Sequence, residues 1–168
     1  MNFSDIARLK FENIDGNKIV FLREKTSRTS RQNQRPVIVT LLPEAEGVIL
    51  KWGNAIQAKG NYVFPILSTG LTPHQEKAKI NLTISLVNNY IGKIAEAVGI
   101  EKKVTTYTAR HCYSTMLKRS GVPIEFISES LGHKDIRTTE SYLDSFEDKH
   151  REEFSKRLLE FGGEKSHA

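Results

Sequence analysis

Tyr107-Thr108-Ala109-Arg110-His111-Cys112-Tyr113-Ser114-Thr115, then Leu131-Gly132-His133, then Thr138-Thr139-Glu140-Ser141-Tyr142 form the most informative part of the chain. The first stretch opens a helical pattern over residues 108–120, which Gly121 stops. The second closes another helical pattern over 123–131, opened by Pro123 and ended by Gly132. Proline suits the first turn of a helix, and glycine readily takes the left-handed backbone that terminates one. A further helix is expected over 147–161, ahead of Gly162-Gly163. Its residues Phe154, Leu158 and Phe161, with Phe146 just before it, recur near steps of four and three with charges between them.

Working outward, the longest helical pattern covers residues 73–98. Ile80, Ile84, Val87, Ile91, Ile94 and Val98 recur at steps of three and four and give one apolar face, and Gly99 is placed to end it. Pro43 opens a helix that should run to about residue 57, with Val48, Ile49, Trp52 and Ile56 on its apolar face. Pro65 interrupts the apolar run Tyr62-Val63-Phe64-Pro65-Ile66-Leu67 and ends regular structure there. A short helix is expected over residues 4–9. Ile14-Asp15-Gly16-Asn17-Lys18-Ile19 places a turn between apolar stretches, and Ile19-Val20-Phe21-Leu22 and Val37-Ile38-Val39-Thr40-Leu41 have the β-branched character of strands. Residues 23–35 between them hold no apolar side chain and five cations, which predicts a solvated hairpin tip able to reach a partner. The expected fold class is mainly α with a small antiparallel β-sheet near the N-terminus. Residues 1–161 should form one domain and 162–168 a disordered tail.

Bulk composition narrows the function classes. Lys and Arg number 25 against 20 Asp and Glu, for a formal charge of +5, which favours a polyanionic partner. The single cysteine, Cys112, excludes an intramolecular disulfide and is expected to be a small buried hydrophobe. No Cys/His cluster has zinc-ligand spacing, so no metal is expected, and a reducing, cytoplasmic compartment fits best. No run of apolar residues is long enough for a membrane span, and the N-terminus lacks a signal-peptide pattern.

The three stretches together resemble the phage integrase or tyrosine recombinase family, whose catalytic domain carries an HxxR box, an LGH box and a tyrosine shortly after a Thr-Thr pair. Tyr142 follows His133 by nine positions, the usual family interval. The segment at the start of the chain and the strand end Phe21-Leu22-Arg23-Glu24-Lys25-Thr26 resemble the same domain. The resemblance implies site-specific DNA recombination through a 3′-phosphotyrosine intermediate, on double-stranded DNA, with other protomers in a tetrameric synapse. It also implies that neither a metal nor ATP is needed. Tyr142 would be the nucleophile, Arg110 and His133 would hold the phosphate oxygens, and Lys25 would protonate the leaving 5′ oxygen. The residue types fit these roles: phosphodiester cleavage needs a nucleophile, donors for developing charge and an acid for the leaving group. The planar fork of arginine holds phosphate in a way lysine cannot imitate.

Two departures from the family pattern stand out. Tyr107 occupies the place of the first His of the HxxR box, three residues before Arg110 and on the same helical face. A phenol can donate and accept hydrogen bonds near a phosphate, but its pKa of about 10 makes it a poor base at neutral pH. The second departure is a family arginine expected just ahead of the segment that residues 1–7 resemble. It has no counterpart in the chain, and Arg8, which comes after that motif, does not inherit the role. The chain is therefore read as a catalytic domain lacking its N-terminal part, with strand cleavage impaired or absent. Adjacent His111 turns to another direction and is read as structural.

Arg23, Arg28, Arg31 and Arg35 around Lys25, and Lys118, Arg119, Lys134 and Arg137 around the other boxes, are candidates for contacts to DNA phosphates. Two further readings compete with the enzyme: a noncatalytic DNA-binding module or regulator derived from a recombinase, and a helical interaction protein that uses the apolar stripe of the last helix. The second leaves the three boxes as coincidence.

Overall fold

The computed structural model describes residues 1–23, 36–133 and 135–140. Lys25, Arg28, Arg31, Arg35, Lys134, Tyr142, the helix expected over 147–161 and the tail 162–168 all lie outside these residues.

The chain opens with helix α1 (Phe3–Ala7) and a 3-10 turn (Phe11–Asn13), and then forms an antiparallel sheet of three strands in the order β1 (Ile14–Asp15), β2 (Lys18–Phe21), β3 (Val37–Thr40). Gly16, at φ 55°, makes the tight β1–β2 turn. In the β2–β3 register Ile19 faces Val39 and Phe21 faces Val37. Because side chains alternate across a strand, these four share a face. Ile19, Phe21 and Val37 are buried with Leu9 and Val63, and Phe11, Ile49 and Phe64 pack around them. The sheet therefore makes half of a core whose other side comes from segments without regular structure. Val63 is held there by its own N–H, which donates to the carbonyl of Leu9 at 2.7 Å.

Helix α2 (Pro43–Trp52) is shorter than its periodicity suggests. At Gly53 a side chain would meet the carbonyl of Ile49 at 2.4 Å. The backbone turns away there, and Asn54 N–H and Nδ2 donate to the carbonyls of Val63 and Tyr62, each at 2.8 Å. The expected apolar face is accordingly not a core face: Ile49 packs inward, whereas Val48, Trp52 and Ile56 are exposed.

Helix α3 (Pro73–Ala97) starts at Thr72, whose side chain accepts from Gln75 N–H while Gln75 Oε1 accepts from Thr72 N–H. This reciprocal cap satisfies two donors that a helix start otherwise leaves open. Thr72→Ala should cost about 1 kcal/mol of stability, read as a shift of the urea midpoint with unchanged slope. Ile80 from this helix joins Ala7 and Leu67 in a second cluster, with Ile84 partly buried beside it. Ile94 and Val98 of the expected inward face are exposed.

Helices α4 (Thr106–Arg119), α5 (Ile124–Leu131) and α6 (Ile136–Glu140) complete the described chain. Helix α5 packs on β3 on one side and on α4 and α6 on the other, through Ile127 and Leu131. It brings the sheet and the three sequence boxes together. Cys112 corrects an expectation: it is exposed. Arg110 and Ser114, one turn apart on α4, are the inward residues, and a residue midway between them points outward. Among the described residues, no helix is long and apolar enough to cross a membrane.

Candidate functional site

Helix α4 delivers Arg110 into the interior, where it is 6 % exposed. Helix α5 ends at Gly132 in the left-handed region, φ 64° and ψ 37°, and this reversal sets His133 beside the arginine. Arg110 Nη2 donates to the carbonyl of Leu131 at 2.6 Å and lies 3.0 Å from His133 Nε2. A guanidinium has only donors, so Nε2 accepts and the proton of the neutral ring sits on Nδ1. Nδ1 lies 2.9 Å from Thr139 Oγ1 on α6, which takes that proton as acceptor. The Thr139 side chain is completely buried. One chain of contacts thus joins one residue from each box: Arg110, His133 and Thr139.

A second layer comes from the N-terminal part of the chain. Arg23, at the end of β2, donates from Nη1 to the carbonyl of Gly132 at 2.7 Å, and its Nε stands 4.0 Å from Asp5 Oδ2. Both side chains are enclosed, at 10 % and 4 % exposure. Arg23 was expected among the solvent-facing DNA contacts. The structure turns it inward, where it fastens the sheet to the Leu131-Gly132-His133 turn. Its inward contacts, and the place of Asp5 beside it, were not legible in the sequence, because Asp5 is 18 residues and Gly132 109 residues away from Arg23.

Among the described residues, the guanidinium groups of Arg110 and Arg23 lie close enough to repel each other, and the Asp5 carboxylate stands beside them. Burial first, and then repulsion from Arg23, bring the pKa of Arg110 down to about 10, with Asp5 pulling the other way. Arg110 is still a cation at neutral pH, held in a place that an anion would complete.

Tyr107 lies half outside on α4, with its ring edge-on to His111 at 4.7 Å between centroids and 83° between planes. That contact gives His111 the packing role expected of it. Arg137 is exposed on α6, and its N–H donates to Asp135 Oδ1 at 2.9 Å. Lys118 and Arg119 lie at the far end of α4, in its last turn. Arg8 pairs with Glu76 of α3 at 3.4 Å and so ties α1 to the long helix.

A sequence profile described as the phage integrase family matches residues 1–149. Over 46 residues the chain is 48% identical to tyrosine recombinase XerD of Lacticaseibacillus casei, a match covering 27% of this chain and 16% of that protein. Over 80 residues it is 32% identical to the tyrosine recombinase of Pseudothermotoga lettingae, covering 46% and 28%. Among solved structures, the XerA recombinase superposes with a TM-score of 0.61 at 21% identity, covering 93% of this chain and 51% of its own. The Tn1549 transposon integrase, solved with transposon right-end DNA, gives 0.62 at 15% identity, with 95% and 55% covered. The fold is therefore shared with these proteins, and the chain spans about half of their length.

Proposed function

The chain belongs to the phage integrase family, and from that premise we propose that it breaks and rejoins double-stranded DNA at specific sites through a 3′-phosphotyrosine at Tyr142. The observation that carries this reading is the enclosed Arg110 guanidinium with His133 Nε2 at 3.0 Å. A phosphate oxygen placed against that pair would accept from the arginine fork and from a protonated His133, and charge developing on the nonbridging oxygens in the transition state would strengthen both bonds. The Tyr142 phenol loses its proton to solvent as its oxygen attacks phosphorus, the bond to the 5′ oxygen breaks, and Lys25 as an ammonium donates a proton to that oxygen. The tyrosyl ester conserves the bond for rejoining. The recombining unit is several protomers on DNA.

The cations proposed to contact DNA phosphates, Arg28, Arg31, Arg35, Lys134 and Arg137, make binding salt-dependent. A plot of log affinity against log salt should fall linearly, by about 0.9 per phosphate neutralised. Fluorescence anisotropy on a duplex across a salt series checks this, and a flat plot removes the basic-face reading.

The decisive experiment uses nicked duplexes selected by binding from a random-sequence pool, so that a cleaved strand cannot be religated. The chain is tested beside a version extended at its N-terminus. Proteolysis and mass mapping of the denaturation-resistant adduct should place the nucleotide on the peptide holding Tyr142. No adduct from either chain, on DNA that both bind, would leave the noncatalytic DNA-binding reading in its place.

A further inference from the structure

The Thr-Thr pair ahead of Tyr142 has no chemistry of its own in the reaction just described, yet its second member is the most enclosed polar residue at the site. Thr139 is fully buried with Oγ1 2.9 Å from His133 Nδ1. On the opposite edge of the same ring, Nε2 meets Arg110 Nη2 at 3.0 Å. The imidazole is thus gripped at both nitrogens, by a group that can only donate at Nε2 and by a hydroxyl at Nδ1.

We propose that Thr139 is a positioning residue for His133: by accepting the Nδ1 proton it fixes the ring's orientation and leaves Nε2 as the one nitrogen that works. In the free site Nε2 accepts from Arg110. When Nε2 carries a proton taken from solvent, it can donate to a phosphate oxygen, while the Nδ1–H bond to Thr139 stays as it was. The ring therefore changes partner on one side only and need not rotate between the free and the DNA-bound site. A hydroxyl on a five-residue helix directly after the LGH turn is suited to this, since α6 packs on α5 and the threonine is rooted in that contact. Packing alone is a different role, and valine, which has the same shape, would supply it equally well.

This inference rests on the recombinase reading for its kinetic consequence but not for the hydrogen bond, and its test separates the two. The full chain is labelled with nitrogen-15, and the ring nitrogens of His133 are read by long-range proton–nitrogen NMR without DNA, with His133→Ala used for assignment. The wild type and Thr139→Ser should show a protonated, exchange-protected Nδ1 and an unprotonated Nε2. Thr139→Val should lose that protection. In adduct formation on nicked DNA, Thr139→Val should be slower by roughly 10- to 100-fold at saturating DNA, the range expected for losing a hydrogen bond to a group that becomes charged. Its affinity should stay within about twofold, and Thr139→Ser should recover most of the rate. In a His133→Ala background the valine change should add nothing, because it acts through that ring. An unchanged His133 nitrogen spectrum in Thr139→Val overturns the proposal whether or not the chain cleaves DNA. An equal rate loss with and without His133 overturns it as well. A normal nitrogen signature with no adduct from the wild type counts against the recombinase reading and leaves the hydrogen bond standing.

Discussion

Arg110→Ala should lower the rate of covalent DNA capture on the order of 10²- to 10³-fold, and Arg110→Lys should rescue little of it. The guanidinium is fixed by two partners at once, the carbonyl of Leu131 at 2.6 Å and His133 Nε2 at 3.0 Å. A lysine ammonium reaching the same depth carries the charge but cannot span both directions with a planar fork. The stability change should be modest by comparison, because opposing contributions meet at this position. Removing the arginine leaves a buried carbonyl unpaired, at a cost of about 1–3 kcal/mol. It also removes a cation whose burial opposes folding. The sign follows from its pKa, brought down to about 10 from the ordinary arginine range above it. Between those values the unfolded chain holds the proton and the folded chain does not. This group's opposition to folding is therefore complete at neutral pH and fades only as pH rises through about 10. Inorganic phosphate, as a minimal anion, should raise the melting temperature of the wild type and leave Arg110→Ala unmoved. Equal phosphate stabilisation of both chains would mean that the anion binds elsewhere, and the assignment of Arg110 to the phosphate would fail.

The parts of this site that were legible in the sequence are those whose meaning is local. Gly121 and Gly132 end helices at φ 76° and 64°, and the β-branched runs pair in the register their alternation requires. Arg110 and His133 could be singled out by residue type and spacing, and they meet. What the sequence hid depends on distant partners. Arg23 reads as one more cation in a basic loop, and only the approach of β2 to the end of α5 turns it into a buried strut. Asp5 reads as an ordinary acidic residue in the first turn of a helix, yet its carboxylate stands near two enclosed arginines. The apolar periodicity of α2 continues past Trp52, but the chain leaves the helix at Gly53, where Asn54 N–H donates to the carbonyl of Val63, and hydrophobic spacing carries no trace of such a backbone hydrogen bond. Helix α6 has five residues, too few for any periodic signal, and it carries the threonine that holds His133.

Gly132→Ala should be the most destabilising single methyl group that can be added to the site. The position has φ 64°, and an alanine held there costs about 1–2 kcal/mol in backbone strain alone. Its Cβ would also stand 2.5 Å from Arg23 Cδ and 2.6 Å from Val37 Cγ2. Neither neighbour can move aside freely. Val37 is a core residue of β3, and Arg23 is anchored to the carbonyl of Gly132 itself at 2.7 Å. Overpacking of this kind costs roughly another 1–3 kcal/mol. The sum, about 2–5 kcal/mol, corresponds to a fall in melting temperature of roughly 4–20 °C for a domain of this size. Gly121→Ala is the control that separates the two contributions. It carries the same left-handed strain at φ 76°, but nothing lies within 4 Å of the added Cβ, so it should show the backbone cost only. If the two alanine variants lose equal stability, the contact between Arg23, Val37 and the Gly132 turn is not what fixes this turn. A larger loss at Gly132, accompanied by weaker exchange protection of His133 Nδ1, would show that the close packing of the sheet against this glycine also holds the histidine in place.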